Sequence, residues 1–291
     1  MPPRDSHVPP PALRARGLSL AYDGRTVVDG LDLDVPRGAV TVVVGPNGCG
    51  KSTVLRGLSR LLRPTAGRVE ICGAIDAASS LSWSGGELTD VWGLRPKEYA
   101  RRVALLPQTP PVPEGITVVD LVGRGRHPHH SLVRRWSDAD DDAVARAMRA
   151  TDTLGLAERH VEELSGGQRQ RVWIALTLAQ DTDVILLDEP TTYLDVAHQI
   201  DVLDLLVYLN RRHGTTIVMV LHDLNLAARY ADHVIALREG ALVAAGRPAD
   251  VVTEAFVRSV FGLESTVIAD PVVGSPRVVP ASRDHLIGAS S

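Results

Sequence analysis

The chain has 291 residues of nearly balanced charge, with 31 Lys and Arg against 35 Asp and Glu, a net charge of -4 and 44% hydrophobic residues. That balance excludes the global basic field of a dedicated nucleic-acid binder, and no apolar run approaches the roughly 18 residues that cross a bilayer. Residues 1–11 are Pro-rich and lack the apolar segment of a signal peptide, so they read as a disordered leader and the expected location is the cytoplasm.

Short β-type segments are predicted at residues 14–21 and 26–35, ahead of a continuous apolar run at 40–44 of the kind buried on both faces of a sheet. Similar runs recur at 103–106, 184–187 and 217–221, with helical patterns at 51–62, 140–154, 168–179, 198–212 and 224–231. Strands alternating with helices argue for an α/β fold with a mainly parallel sheet. Residues 109–180 are mostly helical and interrupt the alternation, which predicts a helical subdomain inserted into the core. Ser137 is the expected N-cap of one of its helices, and Asp138, Asp140, Asp141 and Asp142 read as solvated carboxylates favoured by the helix dipole. Residues 74–96, which contain Ser84-Gly85-Gly86-Glu87, read as a surface insertion, and residues 263–291 as an irregular or β-like extension.

Gly45-Pro46-Asn47-Gly48-Cys49-Gly50-Lys51-Ser52-Thr53 fits the phosphate-loop pattern G-x-x-x-x-G-K-[ST] between a predicted strand and a predicted helix. Glycines let backbone N–H groups close around a β-phosphate, the helix start adds a positive field, Lys51 reaches the β- and γ-phosphates, and Ser52 offers a hydroxyl to Mg²⁺. Only Lys51 and Lys97 are lysines in an Arg-rich chain, and position 51 needs a compact point charge rather than a guanidinium fork. The run at 184–187 ends in Asp188-Glu189-Pro190, where the proline favours a turn that lets the adjacent carboxylates share one task. Asp188 is assigned to the magnesium shell and Glu189 to the attacking water. Gln108 and His222 likewise follow apolar strands. In open α/β sheets ligands bind at the carboxyl ends of strands, so these residues are expected to converge on one nucleotide.

Leu164-Ser165-Gly166-Gly167-Gln168-Arg169-Gln170-Arg171 is a Ser-Gly-Gly turn opening a helix, a second anion-binding element in a chain with one phosphate loop. With the phosphate loop and Asp188-Glu189, this stretch resembles the signature of the ABC (ATP-binding cassette) ATPase family, over about residues 13–262. The resemblance implies an ATP-hydrolysing subunit with a phosphate-loop NTPase core, a mainly parallel sheet, an antiparallel β region and an inserted helical subdomain. It implies that ATP is clamped between the phosphate loop of one subunit and Ser165, Gly166, Gly167 and Gln168 of a second copy, in a head-to-tail dimer. It further implies that Tyr22 stacks on adenine and that Tyr193-Leu194-Asp195 lies at the dimer interface. His222 is expected to contact the γ-phosphate, and Gln108 to join Ser52 and Asp188 around Mg²⁺. Glu189, His222 and Gln108 form the expected catalytic group.

Finer resemblance, in Gly125-Arg126-His127-Pro128-His129, in Thr192 through Asp195 with His198-Gln199, and in Leu221-His222-Asp223-Leu224-Asn225, is to ATPases of iron-siderophore importers, close to those for haem and vitamin B12. This implies a permease partner, indirectly a substrate-binding protein, no nucleic acid, and a peripheral position on the cytoplasmic face of the cell membrane. The basic segment with Arg124, Arg126, Arg134 and Arg135 is the expected docking surface, and His127, His129 and His130 belong to it rather than to an iron site. An iron-sulfur assembly ATPase is the alternative from another class.

Overall fold

The computed structural model describes residues 11–73, 88–111, 113–130, 136–192 and 194–281. In chain order the first elements are β1 (Leu13–Tyr22), β2 (Arg25–Val35), β3 (Val40–Val44), α1 (Lys51–Leu58), β4 (Ala66–Cys72), β5 (Leu88–Asp90), α2 (Pro96–Ala100) and β6 (Val103–Leu106). Then come α3 (Val118–Gly123), α4 (Asp138–Ala150), α5 (Gly166–Ala179), β7 (Val184–Leu187), α6 (Val196–His213), β8 (Thr216–Val220) and α7 (Leu224–Tyr230). The chain ends through β9 (His233–Arg238), β10 (Ala241–Gly246), α8 (Pro248–Val251), α9 (Glu254–Phe261), β11 (Ser265–Ala269) and β12 (Pro276–Pro280).

The central sheet has six strands in the order β10-β9-β3-β8-β7-β6, parallel from β9 to β6 with β10 antiparallel at one edge. Successive strand residues point to opposite faces, and both faces are covered here. Val42, Ile185, Leu187, Ile217 and Met219 enter one core, shared with α6 and the inserted helices. Val43, Val184, Leu186, Val218 and Val220 enter the other, against α1 and a four-stranded antiparallel sheet ordered β2-β1-β4-β5. This double coverage is why the sequence shows unbroken apolar runs instead of alternation.

The inserted helices pack on one another through Val118, Leu121 and Val122 of α3, Val144, Ala147 and Met148 of α4, and Val172, Ile174 and Ala175 of α5. Two expectations change here. Asp140 is not a solvated cap carboxylate: it is fully buried and paired with Arg126, whose Nε lies 2.9 Å from Oδ1. Arg126 therefore belongs to the interior of the helical region and not to an exposed docking face, while Arg134 and Arg135 lie outside the described residues. The reading of 74–96 as a surface insertion also contracts. Residues 74–87, with the Ser84 motif, lie outside the described residues, but β5 pairs with β4, and Val91 and Leu94 are buried in the second core.

Residues 1–10 of the expected leader lie outside the described residues, and Ala12 already donates its N–H to Val35. Within the expected extension, β11 and β12 form a hairpin. Asn225 of α7 fixes it with two hydrogen bonds to the Val278 backbone, and Val278 joins the first core.

Candidate nucleotide site

β3 ends at Val44, and the next six residues fold into a loop whose glycines have steric causes. At Gly45 a Cβ would sit 2.1 Å from the Leu237 carbonyl oxygen, so the loop can lie against β9 only without a side chain. Gly50 has φ near 100° and opens α1, of which Lys51 is the first residue. Lys51 is buried, and its ammonium donates to the carbonyls of Gly45 at 2.8 Å and Pro46 at 2.9 Å. Cys49 and Thr53 are also buried, and burial pushes the Cys49 thiol up while the Lys51 charge opposes the shift. Ser52 turns toward β7 and donates through Oγ to Asp188 Oδ1 at 2.8 Å. Burial raises the Asp188 carboxyl above the ordinary range against the pull of that bond, and the Glu189 charge adds to the rise.

The order β3-β8-β7-β6 sets four strand ends side by side, and each carries one expected group: the phosphate loop after β3, His222 after β8, Asp188 and Glu189 after β7, and Gln108 after β6. Glu189 has φ of 53°, a left-handed backbone that is uncommon outside glycine and recurs at functional sites. Its carboxylate gathers the others: Oε1 lies 2.6 Å from His222 Nε2, and Oε2 accepts from Gln108 Nε2 at 2.6 Å. Oε2 also accepts from the Thr192 hydroxyl at 3.0 Å, a contact the sequence reading missed. Its only sequence signal is a hydroxyl residue three positions after Glu189 in a proline turn.

Tyr22 stands at the end of β1, partly exposed, with its hydroxyl accepting from Arg56 at 3.1 Å. It borders a hollow of about 450 Å³ together with Arg25, Thr26, Val27, Gly48, Glu239 and Gly240, beside the tip of the phosphate loop that Asn47 and Gly48 form. The space suits a nucleobase and ribose.

Ser165 caps α5 by accepting from the Gln168 N–H at 3.3 Å, and Gln168 returns the bond through Oε1 to the Ser165 N–H at 3.1 Å. A Cβ on Gly167 would lie 2.5 Å from His198 Cδ2, so this turn is packed on the start of α6. His198 is held by Asp195, which caps α6 and whose carboxyl the His198 backbone N–H and ring keep below the usual range. Tyr193 lies outside the described residues. Among the hydrogen bonds of the described residues, none joins the stretch 165–168 to the phosphate loop of the same chain. The two anion-binding elements are thus separate groups, each with its own supports.

The donor set around Ser52 is compatible with Mg²⁺. It offers a hydroxyl, the Asp188 carboxylate and, one strand away, the Gln108 amide, all oxygen-bearing groups at the edge of a phosphate-binding loop. Mg²⁺ is characteristically held by one or two carboxylates plus phosphate oxygens and water, so a dense cluster of protein ligands is not required.

Residues 28–192 match the family model described as ABC transporter. The chain belongs to that family. As an ABC ATP-binding subunit it is an ATPase. It is 50% identical to the achromobactin transport ATP-binding protein CbrD of Dickeya dadantii (strain 3937), over 94% of this chain and 96% of that protein. It is also 50% identical to the ferric enterobactin transport ATP-binding protein FepC of Escherichia coli (strain K12), over 93% of this chain and 94% of the relative. Among solved structures, an inward-facing ABC transporter described as of metal-chelate type superposes with a TM-score of 0.77 at 27% identity, covering 94% of this chain and 98% of that one. No described helix is long and apolar enough to cross a membrane.

Proposed function

We propose that this chain is the ATPase of an importer for iron-siderophore complexes, docked on a transmembrane permease at the cytoplasmic face of the cell membrane and working as a head-to-tail pair. Residues 12–262 are the ATPase domain, 109–180 its helical subdomain and 263–291 an extension. The observation that carries the catalytic part is the gathering of Gln108, Glu189 and His222 at neighbouring strand ends beside the Ser52–Asp188 contact.

Tyr22 takes the adenine ring. The backbone N–H groups of Gly45 and of residues 47–50, with Ser52 and Thr53, hold the phosphates, and the Lys51 charge bridges the β- and γ-phosphates. Ser52, Asp188 and Gln108 would hold Mg²⁺, which when bound would neutralise charge on the phosphate oxygens. Glu189 takes a proton from water as the water oxygen attacks the γ-phosphorus, and the bond to the β–γ bridging oxygen breaks to release ADP and phosphate. His222 leaves Glu189 to donate to the γ-phosphate. Ser165, Gly166, Gly167 and Gln168 of a second copy close the site from the other side, which accounts for an anion-binding turn that touches no phosphate loop in its own chain.

Identity of one half to relatives named for achromobactin and ferric enterobactin transport supports the siderophore reading, and a permease working with a substrate-binding protein is the partner set such an importer requires. Uptake of ⁵⁵Fe-labelled siderophores in cells lacking this chain tests it. Loss of uptake restored by the wild-type gene and not by a Glu189→Gln gene is the expected result. Normal siderophore uptake with impaired haem or vitamin B12 uptake would move the cargo to those classes, and impaired iron-sulfur enzymes with all uptake intact would take the chain out of transport.

A further inference from the structure

We propose that Thr192 is the positioning residue that keeps the Glu189 carboxylate aimed during turnover; the inference rests on Glu189 being the general base. Three side chains hold that carboxylate: His222 on Oε1, and Gln108 and Thr192 on Oε2. Two of them have a second task in the reaction. With ATP and Mg²⁺ bound, His222 would donate to the γ-phosphate and Gln108 would join the metal shell, so each would give up Glu189 as it takes its own ligand. Thr192 has no such competing partner, because among the described residues its hydroxyl bonds only Glu189 Oε2 at 3.0 Å.

Its placement is also independent of the sheet's other strand ends. The Thr192 N–H donates to the Glu189 carbonyl at 3.2 Å, closing the turn that begins at Glu189 and runs through Pro190. One residue thus closes the turn with its amide and orients the carboxylate with its hydroxyl. Glu189 itself sits at φ of 53°, where the backbone gives its side chain no support from a regular strand. A carboxylate released by Gln108 and His222 would be free to rotate unless the turn itself restrained it, and a general base must be held within hydrogen-bond reach of its water. Thr192 is half-buried and two residues before Leu194, the neighbour of Gly166. The same short segment therefore links the base to the turn that accepts phosphate from the partner copy.

The test compares Thr192→Val, Thr192→Ala and Thr192→Ser in the full chain, reading kcat and KM for Mg-ATP hydrolysis and the Kd for Mg-ATP. Val removes the hydroxyl at nearly constant shape, and loss of a hydrogen bond to a charged group is expected to lower kcat about ten- to hundredfold. KM and Kd should stay within about twofold, the mark of an interaction used in the transition state rather than in binding. Ser should restore most of kcat, and Ala guards against a Val variant that does not fold. Normal kcat in both Val and Ala, or a loss that Ser does not rescue, overturns the inference. Glu189→Gln is measured in parallel: if it hydrolyses normally, the general-base assignment falls first, and if it is inactive while Thr192→Val is normal, only the positioning role falls.

Discussion

Arg126 and Asp140 form an ion pair closed off from solvent, with side chains 7% and 0% exposed and Nε 2.9 Å from Oδ1. The second carboxylate oxygen accepts from the Ser137 N–H and hydroxyl, and Arg126 also donates to the Ala179 carbonyl. One guanidinium therefore joins the segment after α3, the start of α4 and the end of α5. Removing one partner strands a buried charge, so Arg126→Met should cost about 3–5 kcal/mol of stability. Denaturant unfolding measures it, and a loss below about 1 kcal/mol would mean that the pair is solvated.

The same pair fixes a pH response. Burial alone would raise the Asp140 carboxyl, but hydrogen bonds from Ser137 and Arg126 outweigh it and hold the group at about 2, below its ordinary 3.8. A depressed carboxyl contributes stability that is complete above its unfolded value and lost as pH falls through the folded one. The helical region should therefore begin to loosen below about pH 4 and lose this contribution fully near pH 2. Unfolding midpoints of wild type and Asp140→Asn should differ at pH 7 and converge toward pH 2.

Glu189→Gln should lower hydrolysis by about 10²–10⁴ while ATP binding persists, because the amide keeps the shape and loses the base. It should also trap an ATP-stabilised dimer, since a negative charge beside the γ-phosphate is removed. Lys51→Ala should act oppositely, losing nucleotide affinity and with it dimerisation. Light scattering with and without Mg-ATP separates the two, and normal hydrolysis by Glu189→Gln would reassign the base.

Gly167→Ala places a methyl group 2.5 Å from the ring of His198, which Asp195 holds in place. Overpacking of this kind costs about 1–3 kcal/mol and should displace the 165–168 turn. ATP binding to the phosphate loop should be retained while hydrolysis falls about tenfold or more. Adding His198→Ala should relieve the crowding; if it brings no recovery, contact with His198 is not what excludes a side chain there.

Reading residues 74–96 as a surface insertion implies that a short Gly-Ser linker can replace residues 76–94 with hydrolysis kept within about a few-fold of normal. The pairing of β5 with β4 and the burial of Val91 and Leu94 reverse that expectation. Leu94→Ala alone should cost about 2–4 kcal/mol, and the whole replacement should fail to give a cooperative unfolding transition.

The fold and the strand-end site were legible because their signals are local. An apolar run of four or five residues marks a strand covered on both faces, and a polar residue within two positions of its end marks the edge where ligands are expected, as at Gln108, Asp188, Glu189 and His222. The phosphate loop carries its own spacing, so its residues needed no partner to be recognised. The tertiary structure alone decided which side chains answer one another. Arg126 meets Asp140 across a break between helices, and Thr192 reaches Glu189 around a turn. Gly167 is fixed by His198 from another helix, and Val91 is covered by a sheet that begins at residue 13. A charge, a hydroxyl or a glycine in a sequence states what a residue can do, but its burial and its partner depend on contacts between segments far apart in the chain, which no local pattern encodes.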